Sequence, residues 1–559
     1  MLTALLPMCP TPRVNQILCC TSESFDADVI VVGGGASGLF SAIAAARAHA
    51  TVLVLESGSS PLRKVKISGG GRCNVMHDQS TWDARDGRTL LQQRYPRGAA
   101  ELTGSLTKRF SPLETAAWFE AEGVELKREA DGRVFPTTDD SSTVIEALLG
   151  AADRAGVELR LSTKVVGIDR LGRSIASGDE HDGAASADHG FAVRIAERAG
   201  VARTEATVRA RALILATGST SHELAENLGH EISPLIPSLF SFRLRPGGML
   251  DASLAGVSVA DAELTLVPQP PPPPPPAPPS ADSSSAARGS ADNISGEGVS
   301  SAAAVARPNT GGGKSSGKAG RGRAKGKKGG GGGASISARG PMLVTHRGVS
   351  GPAALRLSAF AAKELAGCNY RGTLELNLAP ELTRAQVTEQ LVACRARMPM
   401  KAVGNVNPFN LPKRLWAAVV TGGSSGSGGN GGRGGDAHGS KGGRGGGAAV
   451  DSAHSVDPAT QWAQLSKQDM RALEERTCRA PLAFSGKDSN KDEFVTAGGV
   501  CWSAIDTKRM ESKHVPGLFF AGELLDVDGV TGGHNFQSCW TTGYVAGNAA
   551  ADLGRCRSA

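Results

Sequence analysis

Three glycines spaced Gly33-x-Gly35-x-x-Gly38, with Ala36 and Ser37 between the last two, can bring backbone N–H groups against a pyrophosphate. Gly33 permits a tight turn, Gly35 lets a phosphate reach the backbone, and Gly38 lets a helix and a strand approach closely. Glu56, 18 residues after Gly38, is spaced to accept hydrogen bonds from ribose hydroxyls. Its negative charge repels a 2′-phosphate, so the expected dinucleotide is FAD or NAD rather than NADP. Near the other end of the chain, Ala521-Gly522-Glu523 offers a carboxylate to a ribityl chain or pyrophosphate. Thr531-Gly532-Gly533 then opens a helix whose N–H groups and dipole can face the pyrimidine edge of a flavin. Ala216-Thr217-Gly218 is a third strand end of the same kind. Remote segments converging on one long ligand suit FAD better than a nicotinamide site.

Other residues could act on a substrate. In Ser68-Gly-Gly-Gly-Arg-Cys-Asn74, four small residues precede Arg72, and Arg72 and Asn74 are expected to face the flavin and the pyrophosphate. Cys73 reads as a small packed residue, since no resolving cysteine lies near it. His346 and His534 are the candidate proton donors, although a loop-stabilising role for His346 is equally open. His534 falls in the first turn of the last helix, where the dipole disfavours an imidazolium, so it is expected to be neutral. No carboxylate pair or Ser/His/Asp set stands out. The 10 cysteines include no C-x-x-C, which excludes a zinc ribbon, a disulfide scaffold and a redox dithiol, and no metal site is expected.

The elements that must hold these residues are legible. Asp28–Val32 reads as a buried parallel strand, Leu39–Ala48 as an Ala-rich helix, and Thr51–Leu55 as the next strand ending at Glu56. Segments 109–123 and 141–156 read as helices, 212–216 and 518–521 as buried strands, and 533–553 as the last helix. Shorter strand-like runs at 240–243, 262–267, 342–346 and 373–378 suggest an antiparallel barrel or sheet.

Composition separates this protein from its additions. The 73 Gly and 30 Pro of the 559 residues concentrate in tracts. Residues 172–190, 268–339 and 421–455 cannot bury enough apolar surface to offset ordering entropy, and are expected to be disordered. The 268–339 tract opens with a proline-rich spacer and continues into a basic Gly/Lys/Arg stretch. That stretch accounts for the net charge of +7, so a globally basic nucleic-acid binder is excluded. Residues 1–25 resemble an organelle transit segment, a chloroplast one included, or else a disordered extension of a cytoplasmic protein. No run is long enough to span a membrane, and oligomeric state is not legible.

Six blocks in order resemble one family: Gly33–Gly38, Lys66–Asn74, Gly132–Pro136, Thr345–Pro352, Thr496–Val500, and Phe520–Gly529 with Thr531–Gly533. They are similar to the BaiN/RdsA-like family of FAD-dependent NAD(P)H oxidoreductases, the YhiN-type flavoproteins. The resemblance implies an α/β fold with a Rossmann-like FAD-binding domain split in sequence, an inserted β-barrel-like domain and a small helical subdomain. On this chain it implies FAD-binding parts at 26–234 and 486–555, a barrel at 235–400 interrupted by 268–339, and helices at 401–485 interrupted by 421–455. It also implies one bound FAD reduced transiently by NAD(P)H, with hydride passed to a small apolar enone- or quinone-like acceptor. Two departures stand out: a short loop after Gly218, and His534 where an aromatic residue is common. A different class of reading is an FAD-stabilised RNA-associated protein with little turnover, touching RNA through residues 314–328.

Overall fold

The run Val29-Ile-Val-Val32 presents apolar side chains on both faces, so its low-energy place is inside a sheet covered on both sides. In the computed structural model, which describes residues 25–78, 87–171, 190–199, 202–267, 335–423, 454–488 and 495–555, it has that place. Strand Ala27–Val32 lies between Val52–Leu55 and Ala202–Leu215 and is parallel to both, with Val31 in register with Val54 and Ile214. Leu518–Phe520 extends the parallel sheet beyond Ala202–Leu215, and Glu158–Arg160 closes the other side beyond Val52–Leu55. Two segments far apart in sequence therefore build one Rossmann-type sheet.

Helix Ala36–Arg47 and the C-terminal helix His534–Arg555 pack on each other over this sheet. Their axes come close because Gly547 has no side chain: a Cβ there would lie 2.2 Å from the Ser41 carbonyl oxygen. Ala202–Leu215 is longer than the sheet needs. Its first half pairs antiparallel with Gly190–Ala199, which pairs in turn with Thr163–Leu171. Only the last residues of that strand were legible from hydrophobicity, because the antiparallel part alternates and carries Arg203, Glu205 and Arg209.

A second core lies inside a closed antiparallel barrel of Ser241–Leu244, Gly348–Ser350, Ser337–Val344, Ser258–Leu266, Gly372–Asn377 and Ala480–Asp488. Phe242 and Phe484 meet edge to face inside it, their centroids 5.3 Å apart. Helices Arg384–Arg397, Lys413–Thr421 and Lys467–Cys478 accompany it and bury Trp416 and Trp462. Capping boxes at Thr383/Gln386 and Ser466/Asp469 start two of them.

The split sheet and the barrel agree with the α/β expectation. Three boundaries differ in detail. Ser337–Val344 is a barrel strand, so ordered structure begins within 268–339. Ala480–Asp488 is the sixth barrel strand, although 401–485 was expected to be helical. Arg384–Arg397 is a helix within the expected barrel region. The pattern misled because a barrel strand exposed on one face reads as polar in sequence. The extension 1–24, most of the tracts at 172–190, 268–339 and 421–455, and the basic stretch 314–328 lie outside the described residues. Among the described residues, no helix is long and apolar enough to cross a membrane.

Candidate functional site

The turn after Ala27–Val32 shows why its glycines are required. Gly33 has φ +109°, and a Cβ on it would lie 2.5 Å from the Ala216 oxygen; on Gly38 it would lie 1.8 Å from the Gly33 oxygen. Gly35 differs. It sits at the N-cap of Ala36–Arg47 with φ −81°, and a Cβ there would meet nothing within 4 Å. No side chain caps that helix, so its first N–H groups remain available beside an open space.

That space is a cavity of about 520 Å³. Of the sequence-derived candidates, Gly33, Gly35, Ala36, Ser37, Glu56, Ala216, Thr217, Gly218 and Glu523 line it. Glu56 ends its strand with both carboxylate oxygens engaged, one accepting from Gly34 N–H at 2.7 Å and the other from Gly58 N–H at 2.6 Å. Thr217 and Thr220 lock the turn beside it, each hydroxyl donating to the other's carbonyl at 2.7 and 2.8 Å. This reciprocal pair is what makes the short loop after Gly218 a defined wall. Gly522 packs tightly, since a Cβ on it would lie 2.3 Å from the Ser37 hydroxyl.

Lys64 is a site residue that sequence reading missed. Its Nζ lies 2.6 Å from Glu523 Oε2 and 3.4 Å from Ser219 Oγ. Partial desolvation opposes its charge, although 58% of the side chain stays exposed, and the Glu523 carboxylate outweighs that and holds the ammonium above the usual lysine range. Asking which cation offsets Glu523 would have directed attention to the Arg63–Lys66 run. Thr163–Val165, Leu62, Phe536 and Cys539 complete the walls, and burial pushes the Cys539 thiol up. An uncapped helix N-terminus, an open glycine and a carboxylate at the next strand end form a donor and acceptor set that suits the phosphates and ribose of a dinucleotide.

The remaining candidates lie elsewhere. Arg72 does not turn toward this cavity. It donates to Glu129 at 2.7 Å and to Asp139 at 2.8 Å, and its guanidinium carbon sits 4.0 Å from the Phe135 ring centroid. Asn74 is nearly buried; with its amide turned to match the surrounding donors and acceptors, its nitrogen donates to the Met76 carbonyl at 2.9 Å and its oxygen accepts from Gly533 N–H at 3.0 Å. The Gly533 N–H expected at a flavin edge is thus taken by Asn74. Thr531 and Gly532 are likewise absent from the cavity wall. Cys73 is fully buried, and burial pushes its thiol up to about 12, as suits a packed residue.

His346 is exposed in the turn between barrel strands Ser337–Val344 and Gly348–Ser350, outside the cavity. His534 is fully buried, and neither ring nitrogen has a hydrogen-bond partner. Its ring centroid is 4.8 Å from that of His77 and 5.8 Å from that of Tyr95, whose hydroxyl donates to the His534 carbonyl at 2.8 Å. Burial, with His77, Arg94 and Arg356 adding positive charge nearby, drives its pKa well below the usual histidine value. Burial, rather than the helix dipole, is thus the main cause that favours the neutral ring. His77 carries no sequence signal, since it follows the glycine-rich block by a few ordinary residues. Among the described residues, no group of three or more His, Cys, Asp or Glu could hold a metal.

Comparison with known proteins adds to this geometry. Residues 27–549 match the family model described as HI0933-like protein Rossmann domain. The chain is 23% identical over 535 residues to a ribosomal RNA dihydrouridine synthase of Escherichia coli (strain K12), covering 94% of this chain and 97% of the relative. It is 24% identical over 534 residues to a 3-dehydro-bile acid delta(4,6)-reductase of Clostridium scindens, covering 93% and 98%. Among solved structures, a 3-ketosteroid-delta4-(5alpha)-dehydrogenase from Rhodococcus jostii RHA1 aligns over 95% of this chain and 99% of its own, with 15% identity and a TM-score of 0.40.

Proposed function

Because the chain belongs to the HI0933-like Rossmann family of FAD-binding oxidoreductases, we propose that it is itself an FAD-dependent oxidoreductase that takes hydride from NAD(P)H and delivers it to a small acceptor with a carbonyl-conjugated double bond. The observation that carries the reading is the uncapped N-terminus of Ala36–Arg47 at the open Gly35, with Glu56 at the neighbouring strand end. Bound there, FAD would supply reversible two-electron hydride chemistry.

The chain's own residues do the rest. The N–H groups of Ala36 and Ser37 bind phosphate oxygens, and Gly35 admits them. Glu56, already oriented by Gly34 and Gly58, accepts from ribose hydroxyls. Glu523, held by Lys64, would face the ribityl and pyrophosphate region, with the Thr217–Thr220 turn as the neighbouring wall. Asn74 holds the start of the C-terminal helix in place, so Thr531, Gly532 and Gly533 act by positioning that helix.

The acceptor class rests on what the relatives' names share. Dihydrouridine is uridine with its ring double bond, conjugated with a carbonyl, saturated; a 3-dehydro delta(4,6) bile acid also has double bonds conjugated with a ketone. Anaerobic addition of NADH or NADPH to the yellow full-length protein tests the reading. Rapid bleaching, reversed by a conjugated enone, is expected. Folded protein that is colourless and takes up no FAD overturns it.

A further inference from the structure

The neighbourhood of His534 contains more positive charge than its acids can balance. Arg94 ends helix Gly87–Arg94, its carbonyl accepting from Val530 N–H at 2.8 Å in the loop that leads to His534. Arg356 lies on helix Pro352–Phe360 of the barrel. The two segments are joined one turn further on, where Arg97 donates to the Ala359 carbonyl at 3.1 Å. Three acids around the cluster already have their own cations: Asp528 is paired with Arg97, Asp78 with Arg128, and Asp131 with Arg133. Among the described residues, neither Arg94 nor Arg356 has a carboxylate partner, and Arg356 Nε is buried without a hydrogen bond.

Two imidazoles complete the cluster. His77 Nδ1 is buried beside Gly532 without a well-formed hydrogen bond, and both nitrogens of the fully buried His534 are unpartnered. Two half-buried guanidiniums without a carboxylate partner are costly, since like charges repel and burial adds a penalty. The burden is visible on Arg94, which burial and then Arg356 push below the usual arginine range. Unpaired donors of this density suit an oxyanion, for which arginine forks are well shaped.

We propose that Arg94, Arg356, His77 and His534 form an oxyanion-binding subsite that holds a carboxylate or phosphate group of the acceptor. The two arginines carry the charge recognition, and the neutral imidazoles supply hydrogen bonds. Both arginines are partly exposed, so the subsite reaches solvent on their side. The assignment rests on the oxidoreductase reading for the word acceptor, but anion binding itself can be measured separately.

Calorimetric titration of the full-length flavoprotein with inorganic phosphate and with acetate, at constant ionic strength set by chloride, tests it. Saturable binding of at least one is expected, weakened at least tenfold in Arg94→Gln and in Arg356→Gln and partly restored in Arg356→Lys. Preference for phosphate assigns a phosphorylated acceptor, and preference for acetate a carboxylic acid. Arg384→Gln, on a barrel-side helix, should bind like the parent. If circular dichroism shows folded protein that retains FAD yet binds neither anion, or binds them equally well in both Gln variants, the subsite is refuted and the oxidoreductase reading stands. Loss of FAD in the parent protein refutes the oxidoreductase reading instead.

Discussion

Lys64 Nζ and Glu523 Oε2, 459 residues apart in sequence, meet at 2.6 Å on the wall of one cavity. The pair links the helix that follows the second strand of the fold to the strand end near the C-terminus. Lys64 is exposed, so the contact contributes only about 0–1 kcal/mol to folding. Its larger effect falls on an anionic ligand, because Glu523 without its cation presents a bare carboxylate to phosphates. Lys64→Met is therefore expected to change urea-unfolding stability by less than about 1 kcal/mol. FAD affinity, read by flavin fluorescence on dilution, should fall at least about tenfold.

Gly35 and Gly38 should separate folding from binding. Gly38→Ala forces a methyl to within 1.8 Å of the Gly33 oxygen, so a loss of about 1–3 kcal/mol or more is expected. Gly35→Ala meets nothing within 4 Å at a φ any residue adopts, and its stability should stay within about 0.5 kcal/mol of the parent. The same alanine occupies the open approach to the helix N-terminus, so the purified variant should be colourless. Equal colour in Gly35→Ala and parent would contradict the placement of the phosphates there.

His534 makes stability depend on acid. Its pKa is far lower folded than unfolded, so below about pH 6.5 the unfolded chain binds a proton that the native state refuses. Stability is full above that value and falls as pH drops toward the folded pKa, by about 1.4 kcal/mol per unit from this group. His77, His222 and His230, also lowered chiefly by burial, act in the same direction. Urea titrations between pH 8 and pH 5 should give a shallower decline for His534→Asn, by close to one proton. An unchanged slope would mean that the ring charges in the native state.

Cys73 should be silent chemically. With its thiol pushed up to about 12 by burial, it is protonated at pH 8 and shielded from reagents. Iodoacetamide labelling of native protein, mapped by mass spectrometry, should leave it unmodified until denaturant is added. Cys73→Ala should reduce its flavin with NADH or NADPH at the parent rate; a large fall would restore a redox role to the thiol.

The Ser68–Asn74 loop shows how far sequence logic reaches. Its glycines suggested a ligand pressed against the backbone, with Arg72 as the contact. In the structure Gly69, Gly70 and Gly71 have φ of +58°, +70° and +88°, so they are needed for the turn itself. The turn sends Arg72 outward to Glu129 and Asp139, and Asn74 inward to Gly533. A glycine chosen for its dihedral and one chosen for a ligand look identical in sequence. The distinction at Gly33, Gly35 and Gly38 was legible only because strand, helix and Glu56 surround them in fixed spacing.

By itself, the sequence determined the parallel strands around Val29–Val32, the turn and helix after them, the carboxylate at Glu56 and the presence of a strand-rich insert. Those follow from hydrophobic period, turn chemistry and short spacings, all of which act between near neighbours. Tertiary structure alone decided that Lys64 faces Glu523, that Asn74 lies against the N–H of Gly533, and that the rings of His77 and His534 meet 4.8 Å apart. Such meetings depend on how two separate cores close over hundreds of residues, and the energy that sets them is spread through packing that no local pattern records.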